Sequence, residues 1–191
     1  MRTIVCFGDS NTWGYVPGSS GERFPRDVRW PSRLAAALGD GFEVVAEGLS
    51  GRTATVERPD SEGRNGLPYL LPCLHSHAPV DLVVIFLGTN DVNFVDDERV
   101  AWCVAWLARV ARTSEAGPGR AAPDVLVVCP PPFDGHRLGP SFAEMCAERG
   151  CELLDLDGIT SYTDHDVEHL DEAGHAAVAA AVEERVRRLF P

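Results

Sequence analysis

The chain has 191 residues, 29 of them acidic and 17 basic, for a formal net charge of −12. Nucleic acid and anionic membranes recruit clustered Lys and Arg, so this balance excludes both as partners. No apolar stretch is long enough to cross a bilayer, and a composition 45% hydrophobic and 24% charged is that of an ordinary globular chain.

The first apolar run, Thr3 to Phe7, reads as a buried β-strand. Gly8 ends it, letting the backbone turn sharply, and Ser10 follows two residues later. Residues 11–28 carry scattered Gly and Pro and read as a loop, with Trp13, Tyr15 and Phe24 available to line a mouth. Trp30 to Leu38 reads as a helix with Pro31 in its first turn and Gly39 at its stop. Phe42 to Glu47 is a second strand, followed by Gly48-Leu49-Ser50-Gly51-Arg52-Thr53 and a polar loop over 54–66. Leu67 to His77 reads as a short helix, although Pro72 falls inside it.

Asp81 to Leu87 is apolar at consecutive positions, as a parallel strand covered on both faces should be. It runs into Gly88-Thr89-Asn90-Asp91. Glu98 to Ser114 is a helix whose Val100, Cys103, Val104, Leu107, Val110 and Ala111 form one stripe. Trp102 and Trp106 flank that stripe as packing residues. After a Gly/Pro loop come a strand (Asp124 to Cys129), a helix (Ser141 to Arg149), a strand (Cys151 to Leu156), a loop (157–168) and a closing helix (Asp171 to Leu189). Alternating strands and helices predict a three-layer α/β/α sandwich around a five-stranded parallel sheet, in one domain over residues 1–191.

The six cysteines, Cys6, Cys73, Cys103, Cys129, Cys146 and Cys151, contain no C-x-x-C pair. They are expected as free, buried, small hydrophobes, with neither a disulfide framework nor a zinc site. At the N-terminus one Arg precedes a short apolar run broken by Asp9, which is no signal peptide, so the cytoplasm is the expected location.

Three strand ends share a Gly with small polar neighbours: Gly8-Asp9-Ser10, Gly48-Leu49-Ser50 and Gly88-Thr89-Asn90-Asp91. Right-handed crossovers bring such ends to one edge of a parallel sheet. A serine hydroxyl, a glycine N–H and a carboxamide then share one small volume, and these are the parts for acyl transfer. The loop before the last helix supplies Asp166-Val167-Glu168-His169, where an Asp three residues before a His can hold its imidazole tautomer.

These four blocks, in this order, resemble the SGNH or GDSL-type hydrolase superfamily. Cys6 to Gly14, Arg23-Phe24, Asp27-Val28-Arg29-Trp30, Glu47 to Thr53 and Pro130-Pro131-Pro132 bring the resemblance closest to its mycobacterial arylesterase/acyltransferase branch. The resemblance implies a flavodoxin-like sheet order of 2-1-3-4-5, with ligands at the switch point between strands 1 and 3. It implies Ser10 as nucleophile, His169 as general base and Asp166 as its orienting partner. The N–H groups of Ser10 and Gly48 and the Asn90 side chain would form the oxyanion hole. The substrate is then a small ester or thioester, with no cofactor and no catalytic metal, and homo-oligomers are open to it. Val167 stands where the family often has Gly. The segment between Pro132 and Ser141 is short beside that branch, where it shapes the pocket mouth and oligomer contacts.

Asp9 and Asp91 are read as braces for their turns, His75 and His77 as solvated, His136 and His165 as loop residues, and His175 as a satisfied packing histidine. Trp13, close to Ser10, is the expected acyl-side contact. Two other readings compete. A metal on His165, Asp166 and His169 leaves Ser10 and Asn90 without a role. An FMN phosphate cradled after strand 1, with Trp13 and Tyr15 stacked on the flavin, shares the sheet order but uses neither Asn90 nor the Asp166/His169 pair.

Overall fold

The apolar runs become strands β1 (Arg2–Gly8), β2 (Phe42–Gly48), β3 (Leu82–Phe86), β4 (Asp124–Cys129) and β5 (Glu152–Asp155). The computed structural model of residues 1–191 pairs them in the order β2-β1-β3-β4-β5, every pair parallel. All five residues of β3 are buried, as expected of a central strand covered on both faces.

Alternate residues of the strands feed two cores. Val5, Phe7, Val83, Ile85, Val125 and Val127 pack on one face with α3 (Leu67–Ser76), α4 (Asp97–Arg112) and α5 (Gly139–Arg149). Ile4, Cys6, Val84, Phe86, Leu126 and Val128 pack on the other with α2 (Trp30–Leu38) and α6 (Glu172–Leu189). The period-two alternation of a strand thus builds the three layers. All six cysteines are free, and only Cys151 is not fully buried. No helix is long and apolar enough to cross a membrane.

Two local expectations need correction, and a third holds. Ser10–Trp13 is a single helical turn, here α1, inside the stretch read as loop. One turn is too short to show a period; its signature is the cap pair, with Asp9 Oδ1 accepting from Asn11 N–H at 2.9 Å and Gly14 left-handed at φ 94°. Pro72 does lie inside α3, held there because Leu70, Cys73 and Leu74 are buried against the sheet. Its missing N–H would have met the carbonyl of Pro68, in the first turn, so one bond is lost and the helix continues. Gly8 is the last residue of β1 rather than a turn. What it supplies is close approach, because a Cβ there would lie 2.1 Å from Thr12 Oγ1 and 2.8 Å from the Phe86 carbonyl.

His175 on α6 is fully buried, but only half satisfied: its Nδ1 accepts from Trp30 N–H at 3.3 Å, while Nε2 has no partner. Burial pulls its ring down to about 4, with Arg33 adding to the effect and Asp171 opposing it. The unfolded chain therefore binds this proton first on acidification, and stability is lost as pH falls. The expected loss is about 2–3 kcal/mol between roughly pH 6.5 and pH 4. Urea unfolding across that range should show it, and His175→Gln should flatten the limb; an identical pH dependence in the variant removes His175 as its cause.

Candidate active site

The carboxyl ends of β1, β2 and β3 carry the site. Gly8 pairs in register with Gly48 on one side and Phe86 on the other, so the three glycine-containing endings converge as the topology requires. A Cβ on Gly48 would lie 2.2 Å from Trp13 N, so α1 sits directly on the end of β2 and only glycine fits beneath it.

Ser10 opens α1 and is 5% exposed. Its Oγ lies 3.0 Å from His169 Nε2. On the far side of the ring, His169 Nδ1 lies 2.9 and 3.0 Å from the two Asp166 oxygens. The i, i+3 spacing lets one tight loop hold both side chains, and Asp166 Oδ1 also accepts the His169 and Glu168 N–H groups at 3.1 and 3.2 Å. Its Oδ2 accepts Gly18 N–H at 2.8 Å. Burial alone would raise the Asp166 carboxyl, but these donors and the imidazole together hold it below its ordinary value, so it stays ionised. Tyr15 stacks on the imidazole at 4.2 Å between centroids.

Asn90 follows β3 at the same edge. Its Nδ2 donates to the Arg52 carbonyl at 3.1 Å and reaches Asp9 Oδ2 at 3.4 Å. Asp91, read as a brace for its own turn, instead accepts Ala54 N–H at 2.9 and 3.1 Å and so braces the β2–α3 loop. Burial pushes the carboxyls of Asp9 and Asp91 up to about 7, against the pull of the N–H groups of Asn11 and Ala54 respectively.

Two positioning residues escaped the sequence reading. Arg52, 3% exposed, donates from Nη1 to the carbonyls of Gly8 (2.9 Å) and Glu47, tying the ends of β1 and β2 together beneath α1. A buried arginine looks like a surface one in sequence; its place just after the Gly48 block is the only hint. Asn11 is more direct. Its Nδ2 donates to the Glu168 carbonyl and its Oδ1 accepts Leu170 N–H, both at 2.9 Å. The amide beside Ser10 therefore grips the chain on either side of His169.

Trp13 ends α1 one turn from Ser10, half-buried, with the Arg23 guanidinium 4.7 Å over its ring. The two rings that a flavin would need are thus engaged, Trp13 by Arg23 and Tyr15 by His169. His165 is exposed and stands outside the Asp166–His169–Ser10 chain of contacts. His77 and His136 are not simply solvated or looped out: they pair with Glu47 at 2.9 Å and Asp97 at 2.7 Å. Beside Gly48 opens a cavity of about 620 Å³, lined by Leu49, Arg52, Glu57, Asn65, Pro68 and Tyr69 among others.

Fold and site together define an ester hydrolase on a flavodoxin-like sheet, and the comparisons agree. Over its full length the chain resembles the native aryl esterase of M. smegmatis (36% identity, TM-score 0.93) and Est24, a carbohydrate acetylesterase from Sinorhizobium meliloti (32%, 0.92). It likewise resembles a putative arylesterase from Agrobacterium tumefaciens str. C58 (35%, 0.90), and in all three cases the other chain is also covered completely. No curated protein matches. Residues 6–177 match the GDSL-like Lipase/Acylhydrolase family, and the chain belongs to that family.

Proposed function

We propose that this protein is a serine esterase and acyltransferase acting on short-chain acyl esters or thioesters through a Ser10 acyl-enzyme. The observation that carries the reading is the continuous Ser10–His169–Asp166 contact chain at the sheet's switch point. Ser10 Oγ attacks the acyl carbonyl while His169 Nε2 takes its proton, and ionised Asp166 stabilises the imidazolium and holds its tautomer. The N–H groups of Ser10 and Gly48 and the Asn90 amide receive the developing oxyanion. Collapse expels the alcohol or thiol, which leaves with the proton from His169. Water, or a competing alcohol, then attacks the acyl-enzyme with His169 again as base. The chemistry needs no metal, so a chelator should leave turnover unchanged. We place the activity in the cytoplasm, where six free thiols stay reduced, and in one folded unit over residues 1–191.

The short-acyl preference rests on what surrounds Ser10. The cavity beside Gly48 is lined by few large apolar side chains, chiefly Leu49, Pro68 and Tyr69, among Glu47, Arg52, Glu57 and Asn65. Trp13 stands one turn along α1 from Ser10, with bulk that would limit the acyl side. Each buried CH₂ would add about 0.8 kcal/mol if a groove existed, so a chain-length series separates the cases sharply. With p-nitrophenyl esters from acetate to decanoate, kcat/KM should fall beyond butyrate. An optimum at octanoate or longer rejects the preference. Trp13→Ala should move the optimum to longer chains, and an unmoved profile takes Trp13 out of acyl binding. Repeating the series with added alcohols measures partition between hydrolysis and transfer.

A further inference from the structure

At the outer edge of the sheet, three side chains that ester chemistry does not use turn towards one another. Cys73 lies in the last turns of α3, His77 caps that helix four residues later, and Glu47 faces both from the end of β2. One donor atom from each lies within 4.8 Å of the others. Cys73 is 1% exposed, while the His77 and Glu47 side chains keep 31% and 20% of their surface. We propose that Glu47, Cys73 and His77 form a zinc-binding site.

The donor set argues for the metal. A thiolate, an imidazole and a carboxylate together suit a borderline-soft divalent ion, and zinc accepts all three in a tetrahedron. Three protein ligands leave a fourth position for water. Glu47 borders the cavity beside Gly48 and His77 keeps 31% of its side-chain surface, so both ligands are reachable from solvent. The Tyr69 hydroxyl donates to Glu47 Oε2 at 3.1 Å and fixes the carboxylate from behind, as outer partners do at zinc centres. Zinc–ligand bonds of about 2.0–2.3 Å require the three donors to close by roughly 1 Å, which the partly exposed Glu47 and His77 can do by rotamer adjustment.

Binding exchanges the 2.9 Å His77–Glu47 contact for two bonds to the ion, and the Cys73 thiol loses its proton to solvent as its sulfur–zinc bond forms. Thiolate and carboxylate then neutralise the dication. Arg52, the neighbouring cation, is already committed to the carbonyls of Gly8 and Glu47 and to the face of Phe7 at 4.1 Å. The triad supplies no ligand, so occupancy is read in stability rather than in turnover. Spacing hid the site from sequence, because Cys-x₃-His on a helix becomes a ligand pair only when a strand brings Glu47 to it.

Cobalt(II) titration of the reduced, metal-stripped protein is the test. One Co²⁺ per chain should bind with a thiolate-to-cobalt charge-transfer band and the intense visible bands of a tetrahedral ion, and Zn²⁺ should bleach both. Cys73→Ser should lose the charge-transfer band, and His77→Gln should weaken binding by more than about tenfold, the least that even an outer partner costs. In thermal unfolding, added Zn²⁺ should raise Tm for the wild type and not for either variant. Absence of the charge-transfer band at saturating Co²⁺, its loss in Cys151→Ser instead, or an equal Tm shift in all the proteins overturns the proposal. If Cys73→Ser does not fold, His77→Gln, at a partly exposed position, decides alone.

Discussion

Ser10→Ala should lose turnover by roughly 10⁴–10⁶-fold, the range that removing a member of such a triad reaches. The hydroxyl stands 3.0 Å from the only base in reach, and no second hydroxyl takes its place on α1: Thr12 is fully buried against Gly8. Folding should be untouched, because the Ser10 side chain has no hydrogen-bond partner other than His169. A fluorophosphonate probe should add one label per chain, and peptide mass should locate it on Ser10. Equal labelling of the Ser10→Ala protein would sink the assignment.

Asn90→Ala should cost roughly 10²–10³ in kcat with little change in KM, as expected of one oxyanion donor used only in the transition state. Gly48 cannot supply this test, because any side chain there strikes the Trp13 backbone. Asn90 can, but its amide also bonds the Arg52 carbonyl, so a bracing role must be separated from a chemical one. Asn90→Asp makes the separation. It keeps the shape, replaces the donor by an acceptor, and should lose at least as much as Ala. A loss under about tenfold in either variant, with Tm preserved, would make Asn90 structural.

What was legible in sequence followed the length of each signal. The strand β3 is a run of apolar residues with nothing polar to interrupt it, and the fold class came from such runs. The four short blocks around Ser10, Gly48, Asn90 and His169 were legible because each falls at an element end where a parallel sheet collects its ligands. Residues that act through three-dimensional closure were not. Arg52 has the composition of a surface residue and is buried only because two strand-end carbonyls need a donor. The α1 turn is shorter than any period, and Gly8 read as a turn when its real task is to let Thr12 and Phe86 pass. His175 read as satisfied because sequence cannot count the partners of two ring nitrogens.

The grip of Asn11 on the residues flanking His169 joins the first strand-to-helix turn to a loop 159 positions later. On the proposed assignment, Ser10 gains its base only when the C-terminal stretch docks onto the N-terminal one. A chain that has formed its sheet but not yet seated that loop holds an unassisted alcohol, as inert as any other serine. Hydrolytic power, on that same assignment, therefore depends on a contact between the two ends of the chain, and a chain in which that loop has come away should be inactive towards esters.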